Sequence, residues 1–285
     1  MVVCMGGTSR LRNLMGIPDR IGLGGEGVLR TEGREQDAQA MLEAAYESGI
    51  RYFDSAPAYA DSEQYLGRFW AQDPDRKTQV FQTSKSAHRD GQNASADLTR
   101  TLSRLGREHI DLWQIHDVRD RNDIRTIEGP GGALAAFYQA RETGVTRGIG
   151  VTGHHDPSIL FHAVTSWDVD SVLLPVNPVE AVIGGFLDRV IPAARERGIG
   201  VIGMKTLGAG NYILPGSGPH PESLIRFALS QDVDVVIVGC STPGEAHLFA
   251  RTGKDFKPMS EEDQARIIGT FRPVAERLAY YRGVI

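Results

Sequence analysis

Tyr52-Phe53-Asp54-Ser55-Ala56-Pro57-Ala58-Tyr59 decides how this chain is read. A short apolar run ends in an acid, and a proline-containing turn returns a tyrosine close to it. Two later stretches finish in the same way. Val80-Phe81-Gln82-Thr83-Ser84-Lys85 ends in a lysine, and Asp111-Leu112-Trp113-Gln114-Ile115-His116 delivers a histidine. These groups share one site if the three strands are parallel neighbours, because their carboxyl ends then lie at one edge.

The surrounding rhythm predicts that they are. A first strand is expected over Asp19–Gly24, and further strands near 147–152, 171–177, 200–207 and 233–241. Helices are expected near 34–48, 62–71, 94–105, 132–143, 157–166, 185–197, 221–230 and 243–252. Val233-Asp234-Val235-Val236-Ile237-Val238 is a nearly continuous apolar run, which marks a strand buried on both faces of a parallel sheet. Eight strand–helix units without a linker-like break predict an α/β fold, a single-domain (β/α)8 TIM barrel over residues 1–285. A doubly wound sheet would normally use about six strands. A short hairpin is expected at the Gly-rich start. An extra C-terminal helix is expected from about Ser260 to Tyr281, opened by Ser260-Glu261-Glu262-Asp263 as a cap and acidic first turn.

Composition narrows the function. The hydrophobic share is 41% and the charged share 24%, as in ordinary globular proteins. A net charge of −5 gives no basic surface for nucleic acid. Cys4 and Cys240 are the only cysteines, which leaves no basis for a disulfide framework or an iron–sulfur cluster. No signal-like start and no run approaching ~18 apolar residues occurs, so a cytoplasmic chain with no membrane partner is expected.

Gly22-Leu23-Gly24-Gly25-Glu26-Gly27 fits the dinucleotide fingerprint G-x-G-x-x-G. That fingerprint needs its third glycine to open a helix against the pyrophosphate. Here the helical pattern starts only near Arg34, so the glycines are read as a flexible loop at the barrel mouth.

Asp54, Tyr59, Lys85 and His116 each have an ordinary structural explanation taken alone. Together, at one end of adjacent strands, they suit carbonyl reduction. Hydride arriving at a carbonyl carbon leaves an alkoxide that needs a proton as it forms. Tyrosine, with a pKa of about 10, is a weak acid at neutral pH, and an ammonium within hydrogen-bonding distance would lower that value. Lys85 is expected to do this to Tyr59, with Asp54 holding the lysine charged and His116 donating a hydrogen bond to the carbonyl oxygen. Side chains supply no hydride, so a nicotinamide is implied.

Asp54-x-Ala56-x-x-Tyr59, the lysine closing the third strand and Leu112-Trp113-Gln114-Ile115-His116 resemble the aldo-keto reductases in residue type and spacing. Gly150-Val151-Thr152-Gly153-His154-His155 and Gly203-Met204-Lys205-Thr206-Leu207-Gly208 resemble the family's shorter bacterial members. The resemblance implies reversible reduction of a small-molecule aldehyde or ketone, with NADP(H) extended across the carboxyl-end mouth and NAD(H) not excluded. Carried onto this chain, the cofactor-binding residues are Gly24, Gly25, Asp54, Thr152, Gly153, Asn177, Met204, Lys205, Leu207, Gly208, Gly239, Cys240, Ser241, Thr242 and Glu245. A nucleotide-sensing or regulatory protein on the same barrel is the alternative, since regulatory relatives can keep all four ionisable residues.

The chain departs from the family pattern in places. Thr152-Gly153 stands where better-known members carry Ser-Asn, and an apolar residue near Leu173 replaces a glutamine, leaving Asn177 as the nearest amide. Met204 takes the place of a stacking tyrosine. In Gly239-Cys240-Ser241-Thr242-Pro243-Gly244-Glu245 a glycine and an acid stand near positions that often hold Lys and Arg for a 2′-phosphate. Lys205 is the candidate for the missing charge. His154-His155-Asp156 lacks further ligands at metal spacing and is read as a polar loop, so no metal is expected. The loop Val118–Gly131 is expected to border the substrate, Gly208–Pro221 with Tyr212 to clasp the cofactor, and Trp113 to point near the site.

Overall fold

In a computed structural model, which describes residues 8–213 and 218–282, eight parallel strands close into a barrel in chain order. They are β1 (Ile21–Gly27), β2 (Tyr52–Asp54), β3 (Phe81–Ser86), β4 (Ile110–Ile115), β5 (Thr146–Thr152), β6 (Ser171–Pro175), β7 (Gly200–Met204) and β8 (Val235–Cys240). The helices before β5 are α1 (Arg10–Met15), α2 (Glu35–Glu47), α3 (Ser62–Gln72), α4 (Gly91–Leu105), α5 (Arg121–Glu128) and α6 (Ala133–Glu142). After it come α7 (Pro157–Ser166), α8 (Pro178–Ile183), α9 (Ile191–Glu196), α10 (Pro221–Leu229), α11 (Pro243–Lys254), α12 (Glu261–Phe271) and α13 (Ala275–Leu278). The (β/α)8 reading of the sequence is therefore correct. Among the described residues no helix is long and apolar enough to cross a membrane.

Alternation along the strands sorts side chains into two layers. Tyr52, Phe81, Leu112, Leu173, Ile202, Val235 and Ile237 fill the barrel, and Leu11 and Met15 of α1 pack into the same cluster. Gly200 makes room for α1, since a Cβ there would lie 2.2 Å from Leu11 Cβ. Phe53 faces outward, edge-on to Trp70 at 5.0 Å between centroids. The helices are stopped and started by local chemistry. Asp90 caps α4 by accepting the Asn93 N–H, and Gly106 closes it in the left-handed conformation, φ 60°.

Several expectations are revised. The hairpin expected at the Gly-rich start falls largely on residues outside those described, and the residues after it form α1. The glycine stretch Gly22–Gly27 instead forms nearly all of β1, bulged against β8 between Gly24 and Gly27. Gly27 has φ 73°, and a Cβ there would sit 2.2 Å from the Cys240 carbonyl oxygen, so only glycine fits. The last helix is not continuous to Tyr281. Pro273 removes an N–H and crowds the preceding turn, and the chain passes through a tight turn over Arg272–Val274 into α13. The charged stretch 118–131 holds α5, capped by Asp120, which accepts the Asn122 and Asp123 N–H groups.

Candidate active site

The four ionisable residues converge at the carboxyl ends of β2, β3 and β4. Asp54 is buried at the end of β2; its Oδ1 accepts from Thr83 Oγ1 at 2.7 Å and its Oδ2 from Lys85 Nζ at 2.5 Å. Lys85, fully buried on β3, also donates to the Ser55 carbonyl at 2.8 Å. His116 follows β4 directly, held by its N–H to the Ser86 carbonyl at 2.8 Å, while Arg89 donates to the His116 carbonyl at 2.7 Å. Tyr59 returns from the turn after β2, its N–H bonded to the Ala56 carbonyl at 3.0 Å. The Tyr59 hydroxyl lies 3.4 Å from His116 Nε2, with the two rings nearly perpendicular at 88°.

Two neighbours shape this arrangement: Gly25, expected at the cofactor, and Arg30, which the sequence did not single out. Gly25 lies under the Tyr59 ring, where a Cβ would come within 2.5 Å of Cδ2. The Arg30 guanidinium sits 5.3 Å from the ring centroid.

One expectation about the tetrad is corrected. Lys85 Nζ does not bond the phenol oxygen; it lies 4.8 Å from the centroid of the Tyr59 ring, turned toward Asp54 and Ser55. The phenol accordingly is not acidified. Burial, reinforced by the Asp54 carboxylate, pushes it well above the ordinary tyrosine value. Burial also lowers the Lys85 ammonium, with the Asp54 carboxylate opposing that shift.

His116 is lowered from 6.5 to about 3, first by burial and then by the Lys85 charge, so it is a neutral imidazole near pH 7. Between these values the unfolded chain binds a proton that the folded chain refuses. The corresponding stability is present above about pH 6.5 and lost as pH falls toward 3. From pH 6.5 to 5 the wild type should lose about 2 kcal/mol that a His116→Leu variant keeps, read by urea denaturation at both pH values. Equal losses would show that His116 takes up its proton within the folded state.

The expected cofactor positions divide into three groups. Thr152 Oγ1 accepts the Asp117 N–H at 2.7 Å. Gly153 is confined by the Val118 carbonyl, 2.9 Å from where its Cβ would be. Met204 packs on top of the barrel interior. The Asn177 amide is engaged elsewhere, donating to the Lys205 carbonyl at 3.2 Å and to the Tyr281 hydroxyl at 3.0 Å.

Leu207 packs toward the C-terminal cluster, and Gly208 lies against Tyr212. Lys205 Nζ stands 5.3 Å from the Tyr281 ring centroid. Tyr212 is no mobile clasp: it is buried, edge-on to Phe271, with its hydroxyl donating to the Leu278 carbonyl at 3.1 Å. The remainder of that expected clasp, 214–217, lies outside the described residues. Trp113 does not face the site; it stacks on Phe137 of α6 at 3.6 Å between centroids.

At β8, Gly239 packs against Glu26 and Cys240 is buried, its thiol pushed up by burial. Thr242 caps α11 by accepting the Glu245 N–H at 3.3 Å, and Glu245 Oε2 accepts the Ser241 N–H at 2.6 Å. The carboxylate thus takes up the Ser241 amide, one of those expected to meet a phosphate.

His154 and His155 are joined by a residue the sequence did not suggest. Asp156 caps α7, accepting the Ser158 N–H at 2.7 Å, and takes no part. Asp117, directly after His116, brings Oδ1 to 3.0 Å from His154 Nε2 and 3.6 Å from His155 Nε2. A separate surface cavity lined by Met15, Phe81, Arg107 and Arg147 opens at the amino ends of the strands. Chemistry in this fold belongs to the other end, where the tetrad lies.

Fold and site together define an enzyme-type barrel with its ionisable groups at the carboxyl ends of the strands. The profile of the Aldo/keto reductase family matches residues 20–213, and the chain belongs to that family of oxidoreductases, which generally use nicotinamide cofactors. Among relatives, the D-threo-aldose 1-dehydrogenase of a Pseudomonas species is 26% identical over 228 residues, covering 70% of this chain and 67% of that protein. The L-galactose dehydrogenase of Arabidopsis thaliana is 28% identical over 66% of this chain and 61% of its own length. The pyridoxal 4-dehydrogenase of Microbacterium luteolum is 28% identical, over 64% of each. The chain thus spans about three fifths to two thirds of these relatives. An aldo-keto reductase of Bacillus halodurans in its holo form superposes with a TM-score of 0.69 over 91% of both chains at 18% identity, a likeness of fold.

Proposed function

We propose that this chain reduces an aldehyde or ketone to an alcohol, with Tyr59 giving the proton. The observation that carries the reading is the placement of the Tyr59 hydroxyl 3.4 Å from His116 Nε2, above the buried Asp54–Lys85 pair. A bound nicotinamide dinucleotide supplies the hydride. The mouth fits such a group: Thr206 Oγ1, within the stretch expected to hold the dinucleotide, is buried without a hydrogen-bond partner.

His116, being neutral, hydrogen-bonds the carbonyl oxygen without protonating it, and Tyr59 protonates the oxygen as negative charge develops there. A raised phenol pKa does not prevent this. An alkoxide is about as basic as hydroxide, so the developing charge draws the proton from a phenol. Lys85, facing the ring, stabilises the phenolate left behind.

The mouth favours a polar, hydroxylated carbonyl substrate, because Glu26, Arg30, Asp117, His154 and Lys205 surround it while Trp113 faces away. Two of the relatives, the D-threo-aldose 1-dehydrogenase and the L-galactose dehydrogenase, are sugar dehydrogenases, which supports this reading.

NAD(H) is favoured over NADP(H). Glu245 already accepts the Ser241 N–H, and a second anion beside that carboxylate would be repelled. The experiment is a screen of sugar and aromatic aldehydes with NADH and NADPH, followed by absorbance of the reduced nicotinamide. Turnover should be better with NADH, and Glu245→Lys should shift the preference toward NADPH by about ten-fold or more, equivalent to about 1.4 kcal/mol. Tight dinucleotide binding without turnover on any carbonyl would favour the regulatory reading instead.

A further inference from the structure

We infer that Asp117, His154 and His155 form a binding site for a divalent transition metal of the zinc type, at the barrel mouth beside His116. One donor atom from each of the three residues lies within 4.8 Å of the others. The protonation pattern points to a cation. His154 Nδ1 is 3.0 Å from the Tyr281 carbonyl oxygen, which can only accept, so Nδ1 carries the hydrogen. In the neutral ring Nε2 is then a lone pair, and it faces Asp117 Oδ1, another acceptor, at 3.0 Å.

A proton on His154 would satisfy that one contact. It would leave His155 Nε2, which is 3.6 Å from the same oxygen and buried with no hydrogen-bond partner. One metal ion engages all three atoms. With metal–ligand bonds of about 2.0–2.2 Å, donors around a tetrahedral ion stand roughly 3.3 Å apart, and the two observed separations bracket that value.

The surrounding bonds are those that orient metal ligands. The Nδ1–H of His154 is held by a backbone carbonyl, and Asp117 Oδ2 accepts from Arg119 Nε at 2.8 Å, which leaves Oδ1 for the ion. Asp117 is also held by its N–H to Thr152 Oγ1 at 2.7 Å, with its backbone in the left-handed region at φ 55°. Two imidazoles and one carboxylate suit a borderline ion such as Zn2+ and leave a fourth position for water or a ligand oxygen. Such a site would tie the ends of β4 and β5 to the C-terminal segment through the Tyr281 carbonyl. The inference does not depend on the carbonyl-reduction reading.

The test is titration of the untagged, EDTA-treated full chain with Co2+ and then Zn2+, followed by visible absorption and calorimetry. One Co2+ per chain should bind with the intense absorption of a tetrahedral site and be displaced by Zn2+. His155→Ala and Asp117→Asn should each weaken binding by about ten-fold or more, whereas His162→Ala, which alters a partly exposed residue paired with Glu128, should not. Should a variant fold poorly, the wild type alone decides: Zn2+ should protect His154 and His155 from diethyl pyrocarbonate in a mass-spectrometric footprint. Failure of the wild type to bind, binding undiminished in His155→Ala, or an unchanged footprint would overturn the assignment.

Discussion

Tyr59→Phe should lower carbonyl-dependent turnover by about 10²- to 10⁴-fold, the range of a positioned general acid, while dinucleotide affinity stays close to wild type. The variant keeps the ring that packs on Gly25 and is approached by Arg30 and Lys85, and removes only the oxygen facing His116. Folding should therefore be nearly unaffected, which separates a chemical loss from a structural one. A pH profile adds a second reading. Reduction uses the protonated phenol, and burial holds Tyr59 in that form well above pH 10, so the Tyr59 contribution should be flat across neutral pH. Alcohol oxidation needs the phenolate, whose fraction rises about ten-fold per pH unit below the pKa, so its rate should climb steeply with pH. Turnover retained in Tyr59→Phe would remove Tyr59 from the role.

The barrel was legible because its signal is repeated: eight apolar runs between helical patterns leave few other topologies. Asp54, Lys85 and His116 were legible for the same reason, since residues at or next to a strand's carboxyl end are placed by the sheet whatever their side chains do. What sequence position does not supply is torsion angles. The Lys85 ammonium turned to the Asp54 carboxylate and the Ser55 carbonyl, the strongest acceptors in reach, and met the phenol only across its ring.

Other misses were readable in principle. Parity counted back from His116 puts Gln114 and Leu112 inside the barrel and Trp113 outside, against Phe137. Pro273 marked the break in the terminal helix. By contrast, α5 buries only Ile124 and Ile127, too few apolar residues to stand out from a charged loop. Asp117 could not be joined to His154 from spacing, because their proximity exists only once β4 and β5 are neighbours.

Lys85→Met should be the most destabilising single change in the site, by about 3–5 kcal/mol, because it leaves the Asp54 carboxylate buried without a cation. Thr83 and Gln114 still reach Oδ1, but nothing replaces the ammonium on Oδ2, and the Ser55 carbonyl loses its donor. A barrel interior cannot hydrate the unpaired charge, so the strand ends would loosen. The double variant Asp54→Asn with Lys85→Met distinguishes a charge effect from lost packing. With both charges gone it should regain about 2 kcal/mol over Lys85→Met alone in urea denaturation, a strongly non-additive cycle. Additive losses would mean that the lysine stabilises the barrel by filling space. The double variant should nonetheless be inactive, because the cation that faces the Tyr59 ring is missing as the phenol gives up its proton. Stability restored without activity would therefore assign both roles to one buried ammonium, holding Asp54 in place and supporting charge on Tyr59.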